Sequence, residues 1–175
     1  MGPVERAAIG HAVPMHPPGA SPTEPTEPTE PTEPTEPTVA YTDGSCRGNP
    51  GPGGWAWAVD GGPSDSGGEA HTTNQRMEVT AVVRALTGLS GPVHIVSDST
   101  YVVNCFRNRW WVGWQRRGWR NTQGKPVANQ DLWQVLLPLA LDADRPVTFE
   151  WVKGHSGDRM NDLVDLLATQ AADRQ

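Results

Sequence analysis

The spacing between hydrophobic residues changes along the chain, and each change marks the start of a new secondary-structure element. Residues 38–42 and 55–59 alternate in the way that predicts two β-strands, and a third strand is expected over 66–72. Residues 43–54 lie between the first two strands and are rich in Gly and Pro, which predicts a loop. Three short strands in sequence favour an antiparallel meander.

After Thr72 the pattern becomes helical. Apolar residues recur every three or four positions from Asn74 to Leu89, and Gly91-Pro92 ends the stretch. Later segments predict helices over 99–108, 129–140 and 161–172 and strands over 93–97 and 147–152. This order indicates an α/β fold with a five-stranded mixed sheet. It has three antiparallel strands, two more added by helical crossovers, and flanking helices.

The first 38 residues differ from the rest. They contain no Phe, Trp or Tyr and carry six acids against one base, and residues 22–36 are five copies of Pro-Thr-Glu. Such a segment cannot bury enough apolar surface to offset its conformational entropy, so residues 1–38 are expected to be a disordered spacer or tail. A docking segment for an unknown partner is the alternative. Residues 39–175 have the size of one domain.

Composition excludes several classes of protein. No run of about 18 apolar residues exists, and the first residues do not resemble a signal peptide. Cys46 and Cys105 are too few for a disulfide framework and lack zinc or redox spacing. A cytoplasmic protein without membrane contact is expected, and a monomer is the simplest assembly.

Four carboxylates on separate predicted elements suggest a metal site. Asp43 and Asp98 follow the first and fourth strands, where ligands collect at the strand ends of open α/β sheets. Glu78 falls in the first turn of one predicted helix and Asp165 in the second turn of the last. Acids brought together repel one another unless hard divalent cations neutralise them. Two such ions can hydrolyse a phosphodiester bond.

Ordinary structural roles would also explain three of these acids. Asp43 precedes Gly and could be a turn residue, and Asp98 could cap a helix. Glu78 could complement a helix dipole. Spacing alone does not prove that the four converge.

A basic aromatic segment stands out in a chain of net charge −6. No acid occurs from Ser99 to Gln130, whereas residues 107–120 hold five Arg and four Trp. Trp110 and Trp114, four apart, could be helical core residues. Trp119 and the Arg116-Arg117-Gly118 turn are poorer candidates for burial. Cations mixed with aromatics suit a surface that binds phosphates.

Four motifs together resemble bacterial type 1 ribonuclease H over essentially all of residues 39–175. They are Tyr41-Thr-Asp-Gly-Ser-Cys-Arg-Gly-Asn-Pro-Gly-Pro-Gly-Gly54, Thr72-Thr-Asn-Gln-Arg-Met-Glu-Val79, Ser97-Asp-Ser-Thr-Tyr101, and Trp151-Val-Lys-Gly-His-Ser-Gly157 with Asn161 and Asp165. The resemblance implies a ribonuclease H-like fold. It also implies endonucleolytic cleavage of the RNA strand of RNA/DNA hybrids with two Mg²⁺ ions, Mn²⁺ being possible, to give 5′-phosphate and 3′-hydroxyl ends.

The resemblance also assigns roles to individual residues. The implied metal carboxylates are Asp43, Glu78, Asp98 and Asp165, and His155 matches a histidine that assists proton transfer or product departure. Two groups of substrate contacts are implied. One group contacts the RNA strand near the scissile phosphate, or the paired strand and one of its phosphates: Cys46, Asn49, Thr73, Asn74 and Gln75. The other group belongs to a basic protrusion that grips the DNA strand: Trp114, Arg116, Arg117 and Trp119.

Two rival interpretations remain. A ribonuclease H-like integrase or exonuclease would share the carboxylates but not the protrusion or the Lys153-Gly-His155 loop. A hybrid-binding module with a decayed site would lack at least one acid, and all four are present.

Overall fold

The computed structural model describes residues 36–175. The tail predicted for residues 1–38 lies outside this range up to Thr35, and Thr38 already belongs to the first strand. The elements in chain order are β1 Thr38–Cys46, β2 Gly51–Val59, β3 Ser64–Thr72, α1 Asn74–Gly88, β4 Val93–Ser97, α2 Thr100–Arg107, α3 Trp110–Arg116, α4 Gln130–Ala140, β5 Val147–Trp151 and α5 Arg159–Asp173.

The five strands form one mixed sheet in the order β3-β2-β1-β4-β5. The first three strands pair antiparallel as a meander, and β4 and β5 add in parallel beside β1. The predicted fold class is therefore confirmed. Within residues 36–175, no helix is both long and apolar enough to cross a membrane.

The alternation of large and small residues in β2 decides how the helices pack on the sheet. Trp55 and Trp57 belong to the main core, together with buried residues of α1 and α4. Ala56 and Ala58 point to the opposite face and pack against Met160, Val164 and Ala168 of α5. Because β2 carries the small residues Gly54, Ala56 and Ala58 on that face, α5 lies close to this strand.

The prediction of a loop over residues 43–54 was wrong for most of that range. β1 continues to Cys46 and β2 starts at Gly51, so only four residues make the turn. Gly48 serves the turn, with a φ of 86°, whereas Gly44 and Gly54 are required by close packing. A Cβ at Gly44 would overlap the backbone nitrogen of Glu78, and one at Gly54 would overlap the backbone of α5.

The basic aromatic segment of residues 107–120 contains the short helix α3. Its residue Trp114 is only 9% exposed. The Trp114 ring packs against Trp119 and Trp133, with ring centroids 6.3 and 5.4 Å away. Aromatic burial thus attaches the basic segment to the core of the domain.

Candidate active site

The four predicted carboxylates come together at one end of the sheet. Asp43 lies where the pairing of β1 with β4 stops, since Thr42 pairs with Ser97, and Asp98 directly follows β4. Glu78 is the fifth residue of α1, in its second turn rather than the first. α1 and α5 pack on β1 from opposite faces of the sheet, and they carry Glu78 and Asp165 to these strand ends.

Asp43 has the most unfavourable environment of the four for a negative charge. Asp43 is 8% exposed, and its Oδ1 accepts a hydrogen bond of 2.8 Å from the backbone N–H of Gly44. Burial, reinforced by repulsion from Asp98, Asp165 and Glu78, raises the pKa of Asp43 from 3.8 to about 8, against the lowering effect of that hydrogen bond. The electrostatic coupling shows that the four acids form one cluster.

Glu78 is held by two side-chain donors. The Asn74 amide donates to Oε1 at 2.8 Å and the Ser99 hydroxyl to Oε2 at 2.5 Å. Burial and the charge of Asp98 raise the pKa of Glu78, while these two hydrogen bonds lower it. Since Ser99 also caps α2 by accepting from the Val102 N–H, the cap of that helix is Ser99 and not Asp98.

Asp98 is fixed from the β5–α5 side. The indole N–H of Trp151 donates to the Asp98 carbonyl at 3.0 Å, and the Asn161 amide lies 3.4 Å from Oδ2. A Cβ at Gly154 would overlap that same Oδ2, so glycine lets the loop pass this close without displacing the carboxylate. Asn161 is 1% exposed, and its Oδ1 has no partner within residues 36–175. The carboxylate is therefore held in one place before any ligand binds.

His155 stands on the loop between β5 and α5 with a left-handed φ of 51°. Its side chain is 81% exposed, and its Nδ1 is 3.7 Å from Oδ2 of Asp165. Asp165 acts on Asp43 electrostatically, whereas Asp162 of the same helix is exposed and does not. A histidine in this position can exchange protons with solvent and with a group at the cluster.

The chemistry of the cluster fits divalent cations. No Lys or Arg of the described chain pairs with any of the four acids, and the one ionic neighbour is His155. No group of three His, Cys, Asp or Glu side chains within 36–175 already has an arrangement that could hold an ion. Because like charges keep the carboxylates apart, an ion would have to draw them together. Hard, oxygen-only donors of this kind suit Mg²⁺ or Mn²⁺.

The predicted contacts for the nucleic acid near the cluster also lie together. The Asn49 side chain accepts from the Asn74 N–H at 3.0 Å, which joins the β1–β2 turn to the start of α1. Thr73 caps α1. The Cys46 thiol lies 3.4 Å from the Thr72 carbonyl. Gln75 is exposed on the first turn of α1. Backbone and short polar groups thus line one rim of the carboxylate cluster.

Three of the four contacts predicted in the basic segment have side chains that are at least partly exposed. Arg116 and Arg117 are exposed, and Arg117 donates through Nε to the Arg120 carbonyl at 3.0 Å. Trp119 is half-buried with a φ of 61°. Trp114 is a correction to the prediction: its burial gives it a packing role and leaves little of the ring for a substrate.

Comparison with known proteins decides the family. The RNase H family model matches residues 35–173. The chain is 49% identical over 139 residues to "Ribonuclease H" of Syntrophomonas wolfei, which covers 76% of this chain and 94% of that protein. It is 51% identical over 141 residues to "Ribonuclease H" of Nitratidesulfovibrio vulgaris, strain Miyazaki F, with coverages of 77% and 89%.

The chain belongs to the ribonuclease H family. The sequence-based assignment to that family is thereby confirmed. Ribonucleases H use divalent metal ions, as the carboxylate cluster requires.

Solved structures of ribonuclease H domains share the fold. LC9-RNase H1, described as a type 1 RNase H with the type 2 active-site motif, is 30% identical with a TM-score of 0.65, covering 81% of this chain and 75% of that one. A foamy viral protease-reverse transcriptase, solved in complex with an RNA/DNA hybrid, is 26% identical with a TM-score of 0.64. It covers 86% of this chain, which corresponds to 22% of the viral protein.

Some residues of this ribonuclease H site were missed by sequence reasoning. Ser99, Trp151 and Asn161 contact Glu78 or Asp98, and Gly154 makes room for Asp98. All four lie inside the motifs that carried the family resemblance. Their types are also those of ordinary caps, core residues and turns, so only the contacts reveal the role.

Proposed function

We propose that this ribonuclease H hydrolyses the RNA strand of RNA/DNA hybrids at the cluster of Asp43, Glu78, Asp98 and Asp165, with two Mg²⁺ ions held by these acids. The activity follows from family membership. The observation that carries the site assignment is the environment of Asp43, where burial and the nearby charges of Asp98, Asp165 and Glu78 raise the pKa to about 8. Asp43 has no cationic partner in the described chain.

The metal ions would supply two kinds of chemistry. Two divalent ions, when bound, activate a water for attack on the phosphorus and stabilise the leaving 3′-oxygen, which gives 5′-phosphate and 3′-hydroxyl ends. Mn²⁺ has the same preference for oxygen ligands and could replace Mg²⁺.

The side chains of the chain itself position and transfer protons. Trp151, Asn161 and Ser99 hold Asp98 and Glu78 in place before substrate arrives, so little rearrangement is needed on binding. Asp43 must release its proton to accept a cation, and this loss couples ion binding to pH. The exposed His155 imidazole, beside Asp165, can give a proton to the departing product.

The hybrid would be held by two surfaces on the same domain. Cys46, Asn49, Thr73, Asn74 and Gln75 form the rim beside the carboxylates, where short polar groups can contact the RNA 2′-hydroxyls and a DNA phosphate. Arg116 and Arg117, with Trp119, present positive charge to the DNA strand. Such contacts read backbone and shape, so cleavage should be independent of sequence.

The test is a comparison of substrates with the full chain. A uniform RNA/DNA hybrid, double-stranded RNA and single-stranded RNA of the same sequence are incubated with Mg²⁺, with Mn²⁺ and with a chelator. We expect cleavage of the hybrid alone, and only with metal. Cutting of double-stranded or single-stranded RNA at the same rate, or cutting that the chelator does not affect, would contradict the proposal. The cytoplasmic location and the monomeric state stay predictions.

A further inference from the structure

A groove on the side of the domain away from the carboxylates has no role in the proposed reaction. Its cavity of about 650 Å³ is lined by parts of α2, α4 and β5 and by the start of α3. The residues that matter are Val103, Phe106, Arg107, Arg109, Leu141 and Phe149, and we call this the β5 groove.

The floor of the β5 groove is apolar and rigid. Phe106 and Phe149 stack with ring centroids 4.0 Å apart and an interplanar angle of 7°. Val103 is 1% exposed, and Leu141 is 47% exposed at the rim. A preformed apolar cavity of this volume can take one or two large side chains of a partner without rearrangement.

The rim of the β5 groove is positively charged and lacks an acid partner. Arg107 and Arg109 are exposed, and neither guanidinium makes a side-chain hydrogen bond or ion pair within the described chain. Arg109 lies over the Trp111 ring at 5.6 Å, which orients it. Glu150 pairs with His94. Asp142 and Asp144, which follow Leu141, are exposed and make no ion pair with either arginine. The two arginines therefore remain available for an incoming carboxylate.

The strand register separates the β5 groove from the substrate. Val147, in the groove, pairs with Val93, and Val93 pairs with Thr38. This is the end of the parallel strands opposite to the end where Asp43 and Asp98 emerge. β5 is also an edge strand, which pairs only with β4. An extended chain can run along such an edge.

We infer that the β5 groove docks an extended acidic peptide of a partner protein, with an apolar side chain seated in the cavity and carboxylates beside Arg107 and Arg109. Charge complementarity selects the acidic peptide, and the stacked rings favour a side chain over a nucleic-acid base, since Phe106 and Phe149 already cover each other's faces. The inference does not depend on the hydrolytic reaction.

The experiment measures fluorescence anisotropy of a labelled peptide, Glu-Asp-Glu-Leu-Phe-Glu, with the full chain. We expect saturable binding that weakens with salt. Arg107→Gln with Arg109→Asn should raise Kd at least about tenfold through the loss of two charge-assisted contacts. Asn tolerates the left-handed φ of 52° at position 109. Leu141→Ala should weaken binding through the apolar contact.

Controls separate the β5 groove from general electrostatics. Arg174→Gln removes an exposed charge elsewhere and should leave Kd unchanged, and a peptide with Ala in place of Leu and Phe should bind poorly. Hybrid cleavage by Leu141→Ala, a groove variant outside the basic segment, should match the wild type. Absence of peptide binding, a Kd that the double variant leaves unchanged, or displacement of the peptide by a short oligothymidine would overturn the inference.

Discussion

Replacing Asp43 with Asn should stabilise the metal-free protein, and increasingly so as pH rises. The fold raises the pKa of Asp43 from 3.8 to about 8 through burial and three neighbouring acids. The folded state thus binds this proton more tightly than the unfolded state. Folding therefore loses stability as pH rises through 3.8, and the loss levels off above 8. Asn keeps the shape of the side chain and removes the charge.

The magnitude follows from linkage. Each pKa unit between the folded and unfolded states is worth about 1.4 kcal/mol. The unfavourable contribution of the Asp43 charge is then about 2 kcal/mol at pH 5 and about 6 kcal/mol at pH 9. The difference in free energy of unfolding between Asp43→Asn and the wild type should accordingly grow by about 4 kcal/mol over that range. Titrating groups that do not interact with Asp43 are common to both proteins and cancel.

The assay is urea unfolding of both proteins in chelator at several pH values, repeated with Mg²⁺. The ion should stabilise the wild type and have a smaller effect on the variant. Asp162→Asn, an exposed acid on the same helix as Asp165, serves as the matched control and should follow the wild type. A stability difference that does not change with pH, or a variant less stable than the wild type at pH 9, would refute the reasoning.

The other predictions concern substrate binding, proton transfer and helix anchoring. Arg116→Ala with Arg117→Ala should raise KM for the hybrid, make KM less dependent on salt and leave kcat unchanged, because contacts to phosphates release counterions. Steady-state kinetics measure both constants, and a loss confined to kcat would contradict the prediction. His155→Ala should lower kcat about 100-fold with little change in KM, and an unchanged kcat under single-turnover conditions would remove the proton-transfer role. Arg145→Ala should cost about 2 to 3 kcal/mol of stability, because this guanidinium donates to the carbonyls of Leu86, Leu89 and Gly91 at the end of α1; thermal unfolding that matches the wild type would disprove it.

The fold could be predicted because the hydrophobic residues recur at clear helical and strand spacings. The helical repeat from Asn74 to Leu89 and the alternation in residues 55–59 correspond to α1 and β2. What the sequence could not show is why glycines occupy strands. In isolation, the glycines of residues 43–54 indicate turns. In the structure Gly48 does lie in the turn, but Gly44 and Gly54 allow α1 and α5 to approach β1 and β2. No local pattern records this tertiary requirement.

The acids of the candidate site could be named from motifs, but their supports could not. Trp151 donates to the backbone of Asp98, and a buried Asn161 faces its carboxylate. Both contacts join residues more than 50 positions apart. Trp114 shows the opposite difficulty, since its spacing from Trp110 allowed a core position and its basic neighbours allowed a surface position. The sequence could not decide between the two. The burial of its ring depends on Trp133, which belongs to a separate helix.

Cleavage of a uniform RNA/DNA hybrid by Asp98→Asn tests the central claim most directly. Single-turnover rates with Mg²⁺ are measured for the variant and the wild type, with hybrid binding measured in parallel in chelator. The carboxylate cluster predicts a rate at least about 1,000-fold lower, with hybrid affinity nearly unchanged. Cleavage by Asp98→Asn at a rate close to that of the wild type would contradict the assignment of the reaction to this cluster.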